Sequence, residues 1–215
     1  MCSMPTGTNQ GIPRIDHPMA SAVYEWLVGR WLVQHFLDTL RQETVGQASG
    51  LVLEVGAGSG RNFPWYIPEQ VERVEAIEPD ATMLRYARER LSHARVPISL
   101  VQAPAEALPF ADAIFDSAVA TLVFCSVLDP LQAVREVKRV MKPKGSIFLV
   151  EHVRAQGKIA AHIQNALVPL TTRLAGNCHW NRDTEQTLTQ SGFEIVSSRR
   201  LRGIQPILVI HAIRL

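Results

Sequence analysis

Residues 51–60 read Leu51-Val52-Leu53-Glu54-Val55-Gly56-Ala57-Gly58-Ser59-Gly60, an apolar run that breaks into three glycines spaced two apart. A run of this kind predicts a buried strand followed by a tight loop whose backbone comes close to a bound ligand. The spacing narrows the ligand. A dinucleotide-binding turn needs Gly-x-Gly-x-x-Gly. Here the third glycine comes one residue early, at Gly60, and Arg61 stands where that pattern has glycine. A dinucleotide-dependent dehydrogenase is disfavoured on this ground.

Outward from this loop, strands and helices alternate. Strands are expected at 51–55, 73–77, 98–102, 115–120 and 146–151, and the clearest helices at 81–93 and 130–141; the charged run from Arg135 to Gly145 reads as a solvated helix face and a turn leading into the fifth strand. Such alternation implies a parallel sheet with helices on both faces. Phe193–Ser198 and Ile207–Ile213, with Gly203 and Pro206 between them, suit a terminal antiparallel hairpin. The expectation is a single α/β, doubly wound, Rossmann-like domain with a seven-stranded, mostly parallel sheet. Residues 1–17 read as a loose tail and 18–48 as covering helices, with a break at Gly29. Residues 49–153 form the ligand-binding core, 154–192 a substrate-side insertion and 193–215 the hairpin.

Composition bounds the function. The chain has 215 residues, 47% apolar and 20% charged, which is an ordinary globular balance. A net charge of +2 is too small to point to nucleic acid. Cys2, Cys125 and Cys178 are scattered, forming neither a disulfide framework nor a zinc spacing, so no metal is expected. No run reaches the roughly 18 apolar residues of a spanning helix, and the polar start has no signal-peptide core. A soluble, cytoplasmic protein is expected. Oligomeric state is not readable.

Three later features join the loop. Val74-Glu75-Ala76-Ile77-Glu78-Pro79-Asp80 resembles a second strand ending in an acid able to hold both hydroxyls of a ribose. Gln102-Ala103-Pro104-Ala105-Glu106 follows the third strand, and Phe115-Asp116 through Thr121-Leu122-Val123 forms the fourth strand and its exit. Together with Glu-x-Gly-x-Gly-x-Gly, this order resembles the class I methyltransferases that use S-adenosylmethionine (SAM) and release S-adenosylhomocysteine. SAM has no pyrophosphate, so it needs close approach rather than an anion cradle. The resemblance implies cofactor contacts from Glu54, Gly56, Ala57, Gly58, Gly60, Asn62, Phe63, Glu78 and Pro79. It extends them to Ala105, Glu106, Thr121, Leu122 and Val123. Many members carry an Asp toward the adenine where this chain has Pro104, so the backbone around Ala105 is expected to serve there.

A narrower resemblance rests on Gly60-Arg61-Asn62-Phe63, Thr121-Leu122-Val123-Phe124-Cys125-Ser126-Val127, Glu151-His152-Val153 and Gly176-Asn177-Cys178 followed by Arg182-Asp183-Thr184. These are similar to the methyltransferase-like 7 family, whose animal members are thiol S-methyltransferases with an N-terminal membrane anchor. No such anchor is visible here. The implied partner is a small-molecule methyl acceptor: sulfide, methanethiol or another small thiol. The alternatives are a C-, O- or N-methyltransferase of a quinone-like, phenolic or lipid acceptor, and a SAM-binding regulator without turnover.

A thiol acceptor needs deprotonation, which histidine suits near neutral pH. His152, at the end of the fifth strand, is the first candidate base and His179 the second. Tyr24, Cys125, Cys178 and Trp180 are candidates to line the acceptor pocket.

Overall fold

The computed structural model describes residues 31–174, 177–201 and 205–215. The elements are α1 (Trp31–Thr44), β1 (Gly50–Val55), β2 (Val71–Ile77), α2 (Ala81–Arg90), β3 (Ile98–Val101), β4 (Phe115–Thr121) and α3 (Pro130–Val140). They continue with β5 (Met141–His152), α4 (Lys158–Leu174), α5 (Thr184–Gln190), β6 (Phe193–Leu201) and β7 (Ile207–Arg214). One seven-stranded sheet has the order β3-β2-β1-β4-β5-β7-β6. The strands from β3 to β5 are parallel. β7 runs antiparallel between β5 and β6.

Local chemistry explains the elements. Asp80 caps α2, its Oδ1 accepting from the N–H groups of Thr82 at 2.8 Å and Met83 at 2.9 Å. Asp129 caps α3 with Pro130 in the first turn, and Ala133, Val134, Val137 and Val140 form its buried stripe. Along β1, Leu53 and Val55 pack into the core layer containing that stripe, while Val52 packs into the opposite layer with Val74, Phe63 and Tyr66. Alternate burial on both faces is the mark of a doubly covered sheet.

Three expectations need correction. The charges of 135–144 read as a solvated face, yet Arg139 is a clamp. Its Nη1 donates to Phe110 O at 2.8 Å and its Nη2 to Leu108 O at 3.0 Å, and it pairs with Glu136 and Asp112. It thereby fixes the segment that follows β3. The turn expected at 142–145 is instead the start of a longer β5, which bends at Lys144 (φ 64°) with a register shift against β4. The helix expected to run to residue 93 ends at Arg90, and a 3-10 turn follows. Tyr24 and the break at Gly29 lie outside the described residues. No helix among the described residues is long and apolar enough to cross a membrane.

Candidate active site

The order places β1 beside both β2 and β4, the point where the sheet reverses its winding and where ligands of such sheets bind. The glycine loop leaves β1 at this point. Gly56, Gly58 and Gly60 have φ of 64°, 53° and 80°. At Gly56 a second constraint operates, because a Cβ would lie 2.7 Å from Val123 Cγ2. Gly56→Ala should therefore abolish measurable SAM binding and lower the melting temperature, through a left-handed backbone and a clash with the β4 exit. An unchanged binding isotherm would refute this. Gly58 differs: a Cβ there meets nothing within 4 Å. Phe63 is fully buried, and it packs beneath Gly60, whose added Cβ would meet its ring at 2.5 Å.

Two buried carboxylates stand behind the loop. Glu78 Oε2 accepts from Gly58 N–H at 2.8 Å and Oε1 from Asp80 N–H at 2.9 Å. Each oxygen keeps a lone pair. Burial pushes the Glu78 carboxyl up to about 7 against those two bonds. Glu54 Oε2 accepts from the Tyr66 hydroxyl at 2.7 Å, and Oε1 has no hydrogen-bond partner among the described residues. Burial lifts Glu54 to about 7 as well, only partly offset by Tyr66, Asn62 and Arg41.

Arg41 was missed by the sequence reading. It comes from α1, donating from Nε to Asn62 Oδ1 at 3.1 Å and from Nη1 to Asp38 at 2.9 Å. It lines one cavity with Gly56, Gly58, Asn62 and Thr121. The signal was present: Leu37, Leu40, Arg41 and Thr44 share the buried face of α1, so a charge stands in an apolar stripe. A buried guanidinium and a carboxylate oxygen lacking a donor suit the zwitterionic end of an amino acid. This cradle fits the methionine end of SAM.

At the adenine end, Ala105 is buried, while Glu106 is committed elsewhere. Its Oε1 accepts from Leu128 N–H at 2.8 Å and Asp129 N–H at 3.3 Å. Glu106 thus braces the start of α3, and its assignment to the cofactor is not carried by this geometry. Pro79 O accepts from Gln102 Nε2 at 3.1 Å, linking the loops after β2 and β3.

The other end of the site is built on Glu151. This fully buried carboxylate accepts from the N–H groups of Val123 and Phe124 at 2.8 Å and Cys125 at 3.2 Å. It holds the exit of β4, where Leu122 has a φ of 60° that a branched side chain rarely takes. The next residue, His152, turns to the insertion, with Nδ1 3.7 Å from Cys178 Sγ. The chain around Cys178 is stapled to the same exit. Asn177 Nδ2 donates to Ser126 O at 2.9 Å, His179 N to Cys125 O at 2.6 Å and Arg182 Nη1 to Phe124 O at 2.6 Å.

Cys125, His152 and Cys178 thereby come together, with ligating atoms all within 4.8 Å of one another. The fold thus assembles a cluster of donor atoms that linear spacing does not display. Hydrogen bonding from Cys178, then burial, raises the Cys125 thiol, and the same bond lowers Cys178. Burial alone would lower His152, but the hydrogen bond and charge of Cys125 outweigh it and raise it. His179 is occupied by its own loop, with Nδ1 2.7 Å from Asn177 O. Trp180 is buried, and its carbonyl accepts from Gln164 Nε2 at 2.7 Å.

The glycine loop at the reversal point, the acid ending β2 and the amino-acid cradle define a class I SAM-dependent methyltransferase. Residues 53–149 match the model of the methyltransferase domain family, and the chain belongs to the class I SAM-dependent methyltransferases, in the part related to the thiol S-methyltransferases TMT1A and TMT1B. It is 32% identical to human TMT1A over 80% of this chain and 71% of that protein. It is also 32% identical to rat TMT1B over 67% of this chain, spanning only 60% of that relative's length. A phosphatidylethanolamine N-methyltransferase of Cereibacter sphaeroides is likewise 32% identical, over 72% of this chain and 78% of the other. The crystal structure of a Bacillus halodurans protein superposes with a TM-score of 0.69 at 18% identity, covering 83% of this chain and 98% of that one, which shows the shared fold.

Proposed function

We propose that this enzyme transfers the SAM methyl group to the sulfur of a small thiol, with hydrogen sulfide and methanethiol in that class. The observation that carries the reading is the Cys125, His152 and Cys178 cluster at the ends of β4 and β5, where a polarizable acceptor would meet sulfur and imidazole. The thiol S-methyltransferase relatives support it.

In this reading Glu78 accepts the ribose hydroxyls through its remaining lone pairs. Arg41 takes the methionine carboxylate and Glu54 Oε1 its ammonium. SAM supplies a methyl group on a sulfonium. The chain's own task is to align the acceptor sulfur behind that methyl and exclude water, so positioning supplies much of the rate. His152 and Cys178 line the acceptor end, beside the Arg182 cation. A free thiol with a pKa of about 8.5 is already a few per cent thiolate at neutral pH, so modest assistance suffices.

The test is an acceptor screen that follows S-adenosylhomocysteine release with sulfide, methanethiol, larger thiols, catechols and quinols. Turnover confined to thiols is expected. Turnover of a catechol or quinol with none for thiols would overturn the reading.

One observation favours a second reading. Ile159, Ile163, Leu167 and Leu170 recur along one face of α4 and are all exposed. A stripe of that kind on the insertion suits a lipid-like acceptor delivered from an apolar phase, as the phosphatidylethanolamine relative would suggest. Adding phosphatidylethanolamine vesicles to the screen separates the two.

A further inference from the structure

We propose that Cys125, His152 and Cys178 form a binding site for a thiophilic divalent cation, best matched by zinc, with one coordination position left open. The donor set is two sulfurs and one imidazole nitrogen, a known pattern for catalytic zinc with an exchangeable fourth ligand. In a tetrahedral site with metal–sulfur bonds of about 2.3 Å and metal–nitrogen bonds of about 2.0 Å, the donor atoms lie roughly 3.5–3.8 Å apart. The 3.7 Å separation of Cys178 Sγ and His152 Nδ1 is already such an edge. The third donor, Cys125 Sγ, lies within 4.8 Å of both, so contraction of at most about 1.3 Å closes the triangle.

The surroundings are those of a prepared site. Glu151 fixes the backbone leading into Cys125 by accepting from the N–H groups of Val123, Phe124 and Cys125. The bonds from Asn177, His179 and Arg182 fix Cys178 against it from a different part of the chain. Outer contacts of this kind orient ligands before a metal arrives. Cys125 is buried while His152 and Cys178 are partly exposed, so the open position would lie on the side of those two residues.

The site itself does not depend on the thiol reading; its use in turnover does. An acceptor thiol would bind the open position as thiolate, its S–H bond breaking and the proton leaving to water. Its sulfur would then attack the methyl carbon while the old carbon–sulfur bond breaks, that electron pair staying on the departing sulfur. The product, a thioether from an organic thiol or methanethiol from sulfide, is neutral, binds the cation more weakly than the thiolate did and leaves. Ligation through Nδ1 replaces the base role expected of His152.

The test uses the whole chain, reduced, stripped with chelator and titrated with Co2+ alone. One cobalt per chain is expected, with thiolate-to-metal charge-transfer absorption and the visible bands of a tetrahedral ion, displaced by Zn2+. Cys125→Ser and Cys178→Ser should each lose a large part of the charge-transfer band, and either of these or His152→Ala should weaken Zn2+ binding roughly 100-fold or more, with SAM affinity kept as the check on folding. Absence of cobalt bands in the reduced protein, or bands that survive in the double cysteine variant, would overturn the site. A Cys125–Cys178 disulfide on air oxidation, without metal uptake after reduction, would assign the pair to redox chemistry instead. Zinc binding without thiol turnover would sink the proposed function and leave the site standing. Full thiol turnover in metal-free protein would do the reverse for the metal's role.

Discussion

Glu151→Ala should cost about 3–5 kcal/mol of stability, the scale of removing one member of a buried charged network. For a chain of this size that is a fall of roughly 10–15 °C in melting temperature. Glu151 is fully buried, and the N–H groups of Val123, Phe124 and Cys125 all point at its two oxygens. Alanine leaves three donors facing a cavity with no acceptor. The loss would also free the strained turn at Leu122 and separate Cys125 from His152, so turnover should fall with stability. Glu151→Gln is the sharper probe. Its amide oxygen can serve the pair at Val123 and Phe124, but its NH2 group must then face the Cys125 N–H, donor against donor. Stability between wild type and alanine is expected. A melting temperature within 2 °C of wild type for Glu151→Ala would show that the carboxylate does not organise this loop.

Glu78→Ala should weaken SAM binding about 10- to 150-fold, equivalent to the 1.5–3 kcal/mol of hydrogen bonds to a charged group. The proposed ribose contacts are lost, and Gly58 N–H loses its acceptor at 2.8 Å. A pH dependence accompanies this. Glu54 and Glu78 are both lifted from 4.5 to about 7 by burial, and each charge raises the cost of ionising the other. Without SAM, a raised carboxyl stabilises the fold fully below pH 4.5, and that contribution is lost as pH rises through about 7. The ligand-free protein should therefore melt at higher temperature near pH 5 than near pH 8. SAM offers an ammonium and two hydroxyl donors to the ionised forms. Its affinity should rise with pH up to about 7 and level off above it. Isothermal titration from pH 5.5 to 8.5 gives the profile. A flat profile would remove both carboxylates from the cofactor contacts.

Much of the cofactor half was legible in the sequence, because it is encoded locally. The two-residue glycine spacing, the acid ending β2 and the buried stripe of α3 each lie within a few turns or one strand of chain. Periodicity and loop length carry such information directly. The reading weakened where a residue's partner is distant. Arg139 looked like a solvated charge because its carbonyl partners, Leu108 and Phe110, precede it by about thirty residues. Arg41 looked like part of a cover because its role depends on α1 lying over the loop after β1. Glu106 and Phe63 sit inside recognisable motifs, yet their side chains turn to bracing and to the core.

The acceptor end divides along the same line. Unaided, the sequence determined the fold class, the cofactor and the chain segments that reach the site. It named Cys125, His152 and Cys178 as separate candidates. Only the tertiary structure put them within 4.8 Å of one another. The reason is topological: β4 and β5 are neighbours in the sheet, and the segment after α4 folds back onto the β4 exit, with His179 N–H and the side chains of Asn177 and Arg182 donating to its backbone carbonyls. The acceptors leave no trace in residue type or spacing, because every residue has the same carbonyl to offer.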